Sequence, residues 1–240
     1  MPANYFPILA DMHSHILPGI DDGSPDIETS LMLIRGLIAL GIHKSVATPH
    51  IIGDMYRNNP DTIFNALSTV TAAIEKEGLD FSVIAAAEYM LDHYFFELLD
   101  NKSVLLTVTD NLILTEFSYS SRPSHPEEMS FAIQTEGFVP ILAHPERYAY
   151  YHTDLKQFHR LKDLGFLLQV NLLSLAGYYG KDTARAARYL VKEELVSFVG
   201  TDLHHERHLS ALQSPANRQL FAEVFSNNTF NEKIFSADWK

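Results

Sequence analysis

Histidines and carboxylates at short spacings are the residues of this 240-residue chain best suited to chemistry. His13 and His15 lie one residue apart in the segment DMHSHILPGIDDG, and Asp202 and His204 repeat that spacing in GTDLHH. Residues i and i+2 of an extended strand point to the same side. Each pair could therefore present two donor atoms to one cation, because imidazoles and carboxylates both bind divalent metals.

The elements that must position these residues are short apolar runs separated by segments of helical periodicity. Seven such β-then-α units follow one another, with the runs PILADMH, SVATPH, FSVIAAAE, NLILTEF, VPILAHPE, FLLQVN and VSFVGTDLH. Six of the seven runs have His, Asp or Glu at or next to their last residue, and the sixth ends in Gln169 and Asn171. Polar residues thus collect at the carboxyl ends of the predicted strands.

Runs that are apolar on both faces and alternate with helices predict an α/β fold, with a parallel sheet buried under helices. An open doubly wound sheet and a closed barrel both satisfy this pattern. In a (β/α) barrel the carboxyl ends of all strands meet at one mouth, whereas an open sheet would spread them too widely. We therefore predict a seven-unit TIM-like barrel with its site at the C-terminal mouth, in a single domain over residues 1–240.

Helix boundaries are marked by capping residues. Ser24 and Pro25 predict the N-cap and first residue of one helix, and Asn59 with Pro60 predicts the start of the next. A glycine at position 78 predicts the end of the second helix.

Nine residues at the ends of the predicted strands, or in the loops just after them, are candidate metal ligands: His13, His15, Asp22, His50, Glu88, Glu116, His144, Asp202 and His204. Each residue alone is weak evidence for a metal site. For the histidines the reason is that the chain has 12 of them, and a lone histidine more often caps a turn or faces solvent. Their shared position is harder to explain by chance. Burying four carboxylates together without cations would also be very unfavourable. A metal cluster is the favoured interpretation.

Composition limits the remaining classes of function. The chain has no cysteine, which excludes disulfides, thiolate metal sites and a cysteine nucleophile. Its formal net charge of −12 disfavours a general nucleic-acid partner. It lacks both an apolar run long enough for a membrane span and the pattern of a secretory signal, so we expect a cytoplasmic protein. The oligomeric state is not readable from the sequence.

Several motifs resemble a known family. DMHSHILPGIDDG, ATPH, AAAEY, LTEF, ILAHPERY, LLQVNLLSLAGYYG and GTDLH are similar to segments of the PHP (polymerase and histidinol phosphatase) superfamily, between about residues 9 and 210. IDDGSPDIETSL and AHPERY narrow the resemblance to the manganese-dependent protein-tyrosine phosphatases of bacterial capsule operons.

This resemblance implies a distorted seven-stranded barrel and three divalent metal ions, most simply Mn²⁺, although N and O ligands also allow iron, zinc or magnesium. By motif, the first metal would take His13, His15, Glu88 and Asp202; the second Glu88, Glu116 and His144; and the third Asp22, His50 and His204. Arg147 in HPERY matches a phosphate-holding arginine, and Arg207 is a second candidate whose local spacing differs from the family pattern. His205 and His208 are expected either at the surface or behind the ligands.

The function implied is hydrolysis of phosphotyrosine in a protein by a hydroxide that bridges two metals. By resemblance alone, the partner would be a tyrosine kinase of capsule or exopolysaccharide synthesis. A small phosphate monoester such as histidinol phosphate is the alternative substrate. A metal-dependent amidohydrolase is disfavoured, because that class needs a histidine where this chain has Asn171. A decayed, non-enzymatic barrel is also disfavoured, because it should lack some of the ligands and none is missing here. The segment FSYSSRPSHPEE could be a lid or a connector, and we expect a connector.

Overall fold

Strands and helices alternate along the chain in a computed structural model that describes residues 6, 8, 10–225, 230, 231 and 234. The strands in this part are β1 (Ala10–Ser14), β2 (Lys44–Ala47), β3 (His50–Ile51), β4 (Ser82–Ala85), β5 (Glu88–Met90), β6 (Leu112–Glu116), β7 (Val139–Ala143), β8 (Leu167–Asn171) and β9 (Val196–Gly200). The helices are α1 (Ile27–Ala39), α2 (Pro60–Glu77), α3 (His93–Asp100), α4 (Pro126–Thr135), α5 (Gln157–Asp163), α6 (Leu172–Leu175), α7 (Lys181–Lys192), α8 (Glu206–Gln213) and α9 (Pro215–Val224).

The strands form two parallel sheets, one ordered β1-β2-β4 and the other β3-β5-β6-β7-β8-β9. The predicted α/β fold with parallel strands is therefore confirmed, but the seven predicted strands are replaced by nine. The difference arises at two places, because the second predicted run is split into β2 and β3 and the third into β4 and β5. Pro49 lies in the first break, and proline has no N–H to donate to a sheet ladder.

The two breaks face each other and remain hydrogen-bonded. Ala86 N donates to Ala47 O at 2.8 Å, and Glu88 N donates to Pro49 O at 3.0 Å. The chain thus bends at neighbouring positions, and His50 and Glu88 resume the ladder directly beyond the bend as register partners. The bend places both side chains near the ends of the remaining strands.

The first and last strands are neighbours at their carboxyl ends. Asp202 N donates to His13 O at 2.8 Å, and His15 N donates to Leu203 O at 2.9 Å. At the other end of this seam, the Asn231 side chain lies between β1 and β9. Its Nδ2 donates to Ala10 O at 3.1 Å and to Val199 O at 2.7 Å, and its Oδ1 accepts from Val199 N at 3.2 Å. A side chain replaces direct strand pairing there.

Two groups of buried apolar side chains make up the core. The larger group lies where the helices pack on the sheets, with members such as Leu37 of α1 and Leu190 of α7. The smaller group contains Met12, Val46 and Phe198, which belong to β1, β2 and β9. Because these strands come from both sheets, the two sheets share an apolar interior.

Capping residues place the helices that follow the first two β units. Helix α2 begins as predicted, with Asn59 accepting from Thr62 N in a capping box, and Gly78 ends it at φ 63°. Helix α1 begins two residues later than predicted, because Asp26 rather than Ser24 is its N-cap and accepts from Thr29 N at 2.8 Å. None of the helices in the described part of the chain is long and apolar enough to cross a membrane.

Candidate metal centre

Most of the candidate ligands lie at or just beyond the carboxyl ends of strands, whereas His50 and Glu88 are the first residues of β3 and β5. His13 lies within β1 and His15 follows it, Glu116 ends β6, and His144 directly follows β7. Their side chains converge: His13 Nε2 lies 3.2 Å from His15 Nε2. Nitrogens this close can share one proton in a hydrogen bond or bind one cation, so the pair is a candidate donor set for a metal.

Glu88 is at the centre of the cluster and is completely buried. Its Oε2 lies 3.1 Å from His13 Nε2, 3.4 Å from His15 Nε2 and 3.2 Å from His50 Nδ1. Its other oxygen, Oε1, lies 3.0 Å from His144 Nε2. One carboxylate thus contacts four imidazoles with its two oxygens, as a bridging ligand would.

Asp202 approaches the same cluster from beyond β9. Its Oδ1 lies 3.4 Å from His13 Nε2 and 3.5 Å from His15 Nε2. Its Oδ2 accepts from Arg147 Nη1 at 2.8 Å and from Asn171 Nδ2 at 2.7 Å. One oxygen is therefore directed to the ligand cluster, and the other is held by protein donors.

Asp22 and His204 lie on the outer side of the cluster. Asp22 Oδ1 is 3.5 Å from His50 Nε2 and 3.5 Å from His204 Nε2. Across the described residues, three groups of donors have atoms within 4.8 Å of one another: His15 with Asp22, His50 and His204; His13 with His15 and Glu88; and His50 with Glu88 and Glu116.

These groups overlap with the three ligand sets that the family resemblance implies, but they are not identical to them. His15 joins the third set, and His50 takes the place of His144 beside Glu88 and Glu116. His144 nevertheless contacts Glu88. All nine candidates lie in or beside one cluster, and the division of these ligands among individual ions stays a prediction.

Two buried atoms of the cluster have no hydrogen-bond partner in the described part of the chain. They are His50 Nδ1 and Glu116 Oε1, and they lie 3.1 Å apart. Buried polar atoms are nearly always satisfied, so a pair of adjacent orphans needs an explanation. A divalent cation would satisfy both, and a donor set of imidazoles and carboxylates fits such an ion.

The pKa shifts of the clustered side chains also support a site for cations. Burial lowers the pKa of His13 and His15, but the carboxylates around them outweigh burial and raise both pKa values, with Glu88 acting on His13 and Asp21 on His15. Burial raises the pKa of Glu88 and Asp202, but the imidazoles lower both pKa values below their ordinary range. Protonated imidazoles therefore balance the carboxylates, and cations could replace those protons.

A second layer of side chains orients the histidines. His13 Nδ1 lies 2.9 Å from Gln169 Oε1, and His15 Nδ1 lies 2.8 Å from Asp21 Oδ2. Contacts of this kind fix the ring orientation and leave Nε2 free for a metal. Gln169 and Asn171, which end the sixth predicted strand, thus hold ligands in place. Sequence reasoning missed Asp21, although it stands directly before the candidate ligand Asp22.

The two candidate arginines lie in different surroundings. Arg147, in the 3-10 turn Pro145–Arg147 after β7, contacts Asp202 and borders a cavity of about 290 Å³. Arg207 lies in the first turn of α8, is exposed, and is not among the residues lining that cavity. The role of Arg207 in holding phosphate stays a prediction.

The cavity adds residues that the motifs did not indicate. Its lining includes Asp22, His50, Tyr119, His144, Arg147, Tyr179, Asp202, His204, His205 and His208. Tyr119 belongs to the segment expected to be a connector, and whether this segment acts as a connector or a lid stays a prediction. His205 and His208 lie at the rim of the cavity rather than on an unrelated surface. Loop tyrosines carry no spacing signal, so the sequence does not distinguish a tyrosine that borders a cavity from one that only packs.

Fold and site together define an α/β protein with a cluster of histidines and carboxylates that could bind metal at the edge of its parallel strands. Residues 9–228 match the family described as "Capsular polysaccharide synthesis, CpsB/CapC". The chain belongs to this family.

Characterised relatives match most of the chain. Tyrosine-protein phosphatase YwqE of Bacillus subtilis (strain 168) is 29% identical over 197 residues, which cover 82% of this chain and 78% of YwqE. Tyrosine-protein phosphatase CpsB of Streptococcus pneumoniae is 30% identical over 205 residues, covering 82% of this chain and 83% of CpsB.

Solved structures agree with the fold. One from a study of YwqE of Bacillus subtilis and CpsB of Streptococcus pneumoniae, described as unique metal-dependent tyrosine phosphatases, superposes with a TM-score of 0.79 at 28% identity and covers 90% of both chains. The lactonase Lmo2620 of Listeria monocytogenes shares the fold alone, with a TM-score of 0.55 at 12% identity over 97% of this chain and 92% of the lactonase.

Proposed function

We propose that the protein is a metal-dependent protein-tyrosine phosphatase. The observation that carries the proposal is the meeting of the nine candidate ligands around Glu88, beside a cavity that Arg147 borders. Relatives of similar length that are named tyrosine-protein phosphatases support it. A cavity open to solvent and lined by a cationic side chain suits a phosphate group presented by a larger molecule.

Three divalent cations are the cofactors we propose, with Mn²⁺ as the metal; iron, zinc and magnesium accept the same N and O donors. The three overlapping donor groups support this number. When bound, the cations would supply Lewis-acid stabilisation and a water acidified enough to act as the nucleophile.

Charge explains how an acidic protein would attract a phosphate dianion. Three divalent cations bring six positive charges against the four carboxylates of the candidate ligands, Asp22, Glu88, Glu116 and Asp202. The centre would then be positive although the chain has a net charge of −12, and Arg147 adds a further positive charge. The local field at the cavity would outweigh the charge of the distant surface.

The protein's own side chains have separate tasks in this proposal. Arg147 would bind phosphoryl oxygens and stabilise the charge that develops on them. Asp21 and Gln169 would hold the rings of His15 and His13. A tyrosine leaving group has a pKa of about 10, so its departure needs little help from a general acid. This suits a cavity whose donors are mainly occupied in holding cations and phosphate.

A phosphotyrosine protein is the substrate we propose, and a tyrosine kinase of capsule or exopolysaccharide synthesis is the partner that the family description suggests. The cytoplasmic location expected from the sequence stays a prediction.

We also propose that the two sheets form one distorted seven-stranded barrel in a single domain. The hydrogen bonds across both breaks and between β1 and the residues after β9 support this view. The apolar interior shared by strands of both sheets supports it as well.

Hydrolysis of a phosphotyrosine peptide by the metal-loaded protein tests the function. Glu116→Gln keeps the shape of a buried side chain but removes its charge, and we expect it to lower kcat/KM by at least about a hundredfold, as loss of a metal-binding charge should. Glu128→Gln is the matched control, since this side chain is 76% exposed on α4. Chelator should abolish activity, and Mn²⁺ should restore it.

Two outcomes would overturn the proposal. Full activity of Glu116→Gln, or activity that resists complete removal of metal, would exclude the metal-dependent mechanism. A metal-dependent rate that is much higher on histidinol phosphate than on the peptide would instead establish the small-molecule alternative.

A further inference from the structure

Arg147 is held on three sides in the wall of the cavity. Its Nη1 donates to Asp202 Oδ2 at 2.8 Å. Its guanidinium carbon lies 4.3 Å from the centre of the Tyr179 ring and 5.0 Å from the centre of the Tyr119 ring. Both distances are within the range of a cation–π interaction.

The groups that hold Arg147 come from separate connecting segments. Tyr119 follows β6, Tyr179 lies between α6 and α7, and Asp202 follows β9. Tyr119 is itself anchored, because its hydroxyl lies 3.1 Å from His144 Nδ1 and its ring stacks on the His144 ring. Tyr179 packs against the ring of His208. The position of the guanidinium thus depends on several loops at once.

This arrangement leaves much of the guanidinium available. Arginine has five N–H donors, and only the one bonded to Asp202 has a hydrogen-bond partner among the described residues. Burial lowers the pKa of Arg147, but Tyr119 and Asp202 outweigh it and raise the pKa above its ordinary value, so the group stays charged. A free arginine side chain would lose considerable rotamer entropy on binding an anion, and prior immobilisation removes that cost.

We propose that Tyr119 and Tyr179 are positioning residues that form an aromatic clamp on Arg147. The clamp, meaning these two rings, fixes the guanidinium so that its free N–H groups meet the phosphoryl oxygens of the substrate. The inference rests on the proposed function, because it explains how that site would bind phosphate.

Tyr179 offers the cleaner test, since Tyr119 also touches the candidate ligand His144. We expect Tyr179→Ala to raise the Kd for inorganic phosphate, measured by calorimetry on the Mn²⁺-loaded protein, by about tenfold. Tyr179→Phe keeps the ring and should restore binding. Tyr94→Ala is the control, because this tyrosine lies under the guanidinium of a different arginine, Arg57, and does not line the cavity. Metal content should stay equal in all variants.

A double-mutant cycle separates positioning from a general structural effect. In an Arg147→Ala background, Tyr179→Ala should cause no further loss of phosphate binding. The clamp is overturned if Tyr179→Ala binds phosphate as the parent does, or if its effect is the same with and without Arg147.

The result of this double-mutant cycle is independent of the test of the proposed function. A parent protein that hydrolyses phosphotyrosine while Tyr179→Ala binds phosphate normally would refute the clamp and leave the function intact. A parent without hydrolysis would refute the function, and phosphate binding in the same cycle would still decide on the clamp.

Discussion

Binding of metal to the cluster should release protons, and His50 sets the size of the effect. Burial lowers the pKa of His50, but Glu88 and Glu116 outweigh it and raise the pKa to about 9. At pH 7 this imidazole is therefore almost fully protonated in the metal-free protein. A metal-ligating imidazole must be neutral, so binding at pH 7 should displace about one proton from His50.

The cost of removing that proton fixes the expected pH dependence. A gap of two pH units between pH 7 and a pKa of about 9 corresponds to about 3 kcal/mol. Metal affinity should therefore rise about tenfold per pH unit above pH 7 and gain about a hundredfold by pH 9. The pKa values of His13 and His15 are also raised, and their protons would steepen the dependence.

The same shift predicts the stability of the metal-free protein. The pKa of His50 is higher in the folded state than its unfolded value of 6.5, so its contribution is complete below pH 6.5 and is lost as the pH rises through about 9. Unfolding of the metal-free protein should thus become easier by at least about 3 kcal/mol across this window, because the raised pKa values of His13 and His15 act in the same direction. Asp11, whose pKa burial raises to about 6, titrates below the window and does not obscure it.

Calorimetric titration with Mn²⁺ in two buffers of different ionisation enthalpy measures the released protons directly. His50→Gln should reduce the proton release at pH 7 by about one. His93→Gln, which changes a 91% exposed side chain on α3, should leave it unchanged. An affinity that is flat between pH 7 and 9, without proton release, would refute the reasoning.

Two further predictions concern stability, measured by urea unfolding of the metal-free protein. His144 has a left-handed backbone at φ 36°, and this conformation costs a residue with a Cβ about 1 kcal/mol. The variant His144→Gly should therefore be more stable than His144→Ala by about that amount, and equal stabilities would contradict this reasoning. The substitution Asn231→Ala should lower the free energy of unfolding by about 2–3 kcal/mol, because it leaves buried backbone groups of β1 and β9 unpaired. The control Asn65→Ala, on the exposed face of α2, should lower it little. Similar losses in both variants would argue against the importance of the contact between β1 and β9.

The sequence predicted that the side chains of the candidate ligands meet at one edge of the strands, and their role as metal ligands stays a prediction. Residues i and i+2 of a strand share one side, and carboxyl ends of parallel strands meet at one edge. His13 follows from these two rules, and His15 lies one residue beyond the end of β1. Asp202 and His204 lie beyond β9, and the backbone of Asp202 is left-handed at φ 52°, so the strand rule does not place them. Glu88 and His50 reach the cluster for a further reason. The chain bends between β2 and β3, at Pro49, and between β4 and β5, and both residues lie directly beyond these bends.

What could not be predicted depends on loop conformation and side-chain direction. Spacing alone did not distinguish Asp21, which holds His15, from Asp22, which faces the outer cluster. Tyr119 and Tyr179 reach the cavity only because their loops fold over Arg147. Arg207 has the expected residue type near the expected place, but in the first turn of α8 it is exposed and does not line the cavity.

Asn231 has a consequence for the order in which this molecule can assemble. The contact it makes with Ala10 joins positions 221 residues apart. His13 and Asp202 lie on the two sides of the same seam, farther along it. During synthesis, β1 and β9 could pair only after nearly the whole polypeptide has left the ribosome. The cluster residues near the N-terminus, such as His13, would meet those near the C-terminus, such as Asp202, only at that stage. Metal capture should consequently be a late event in the life of a newly made chain.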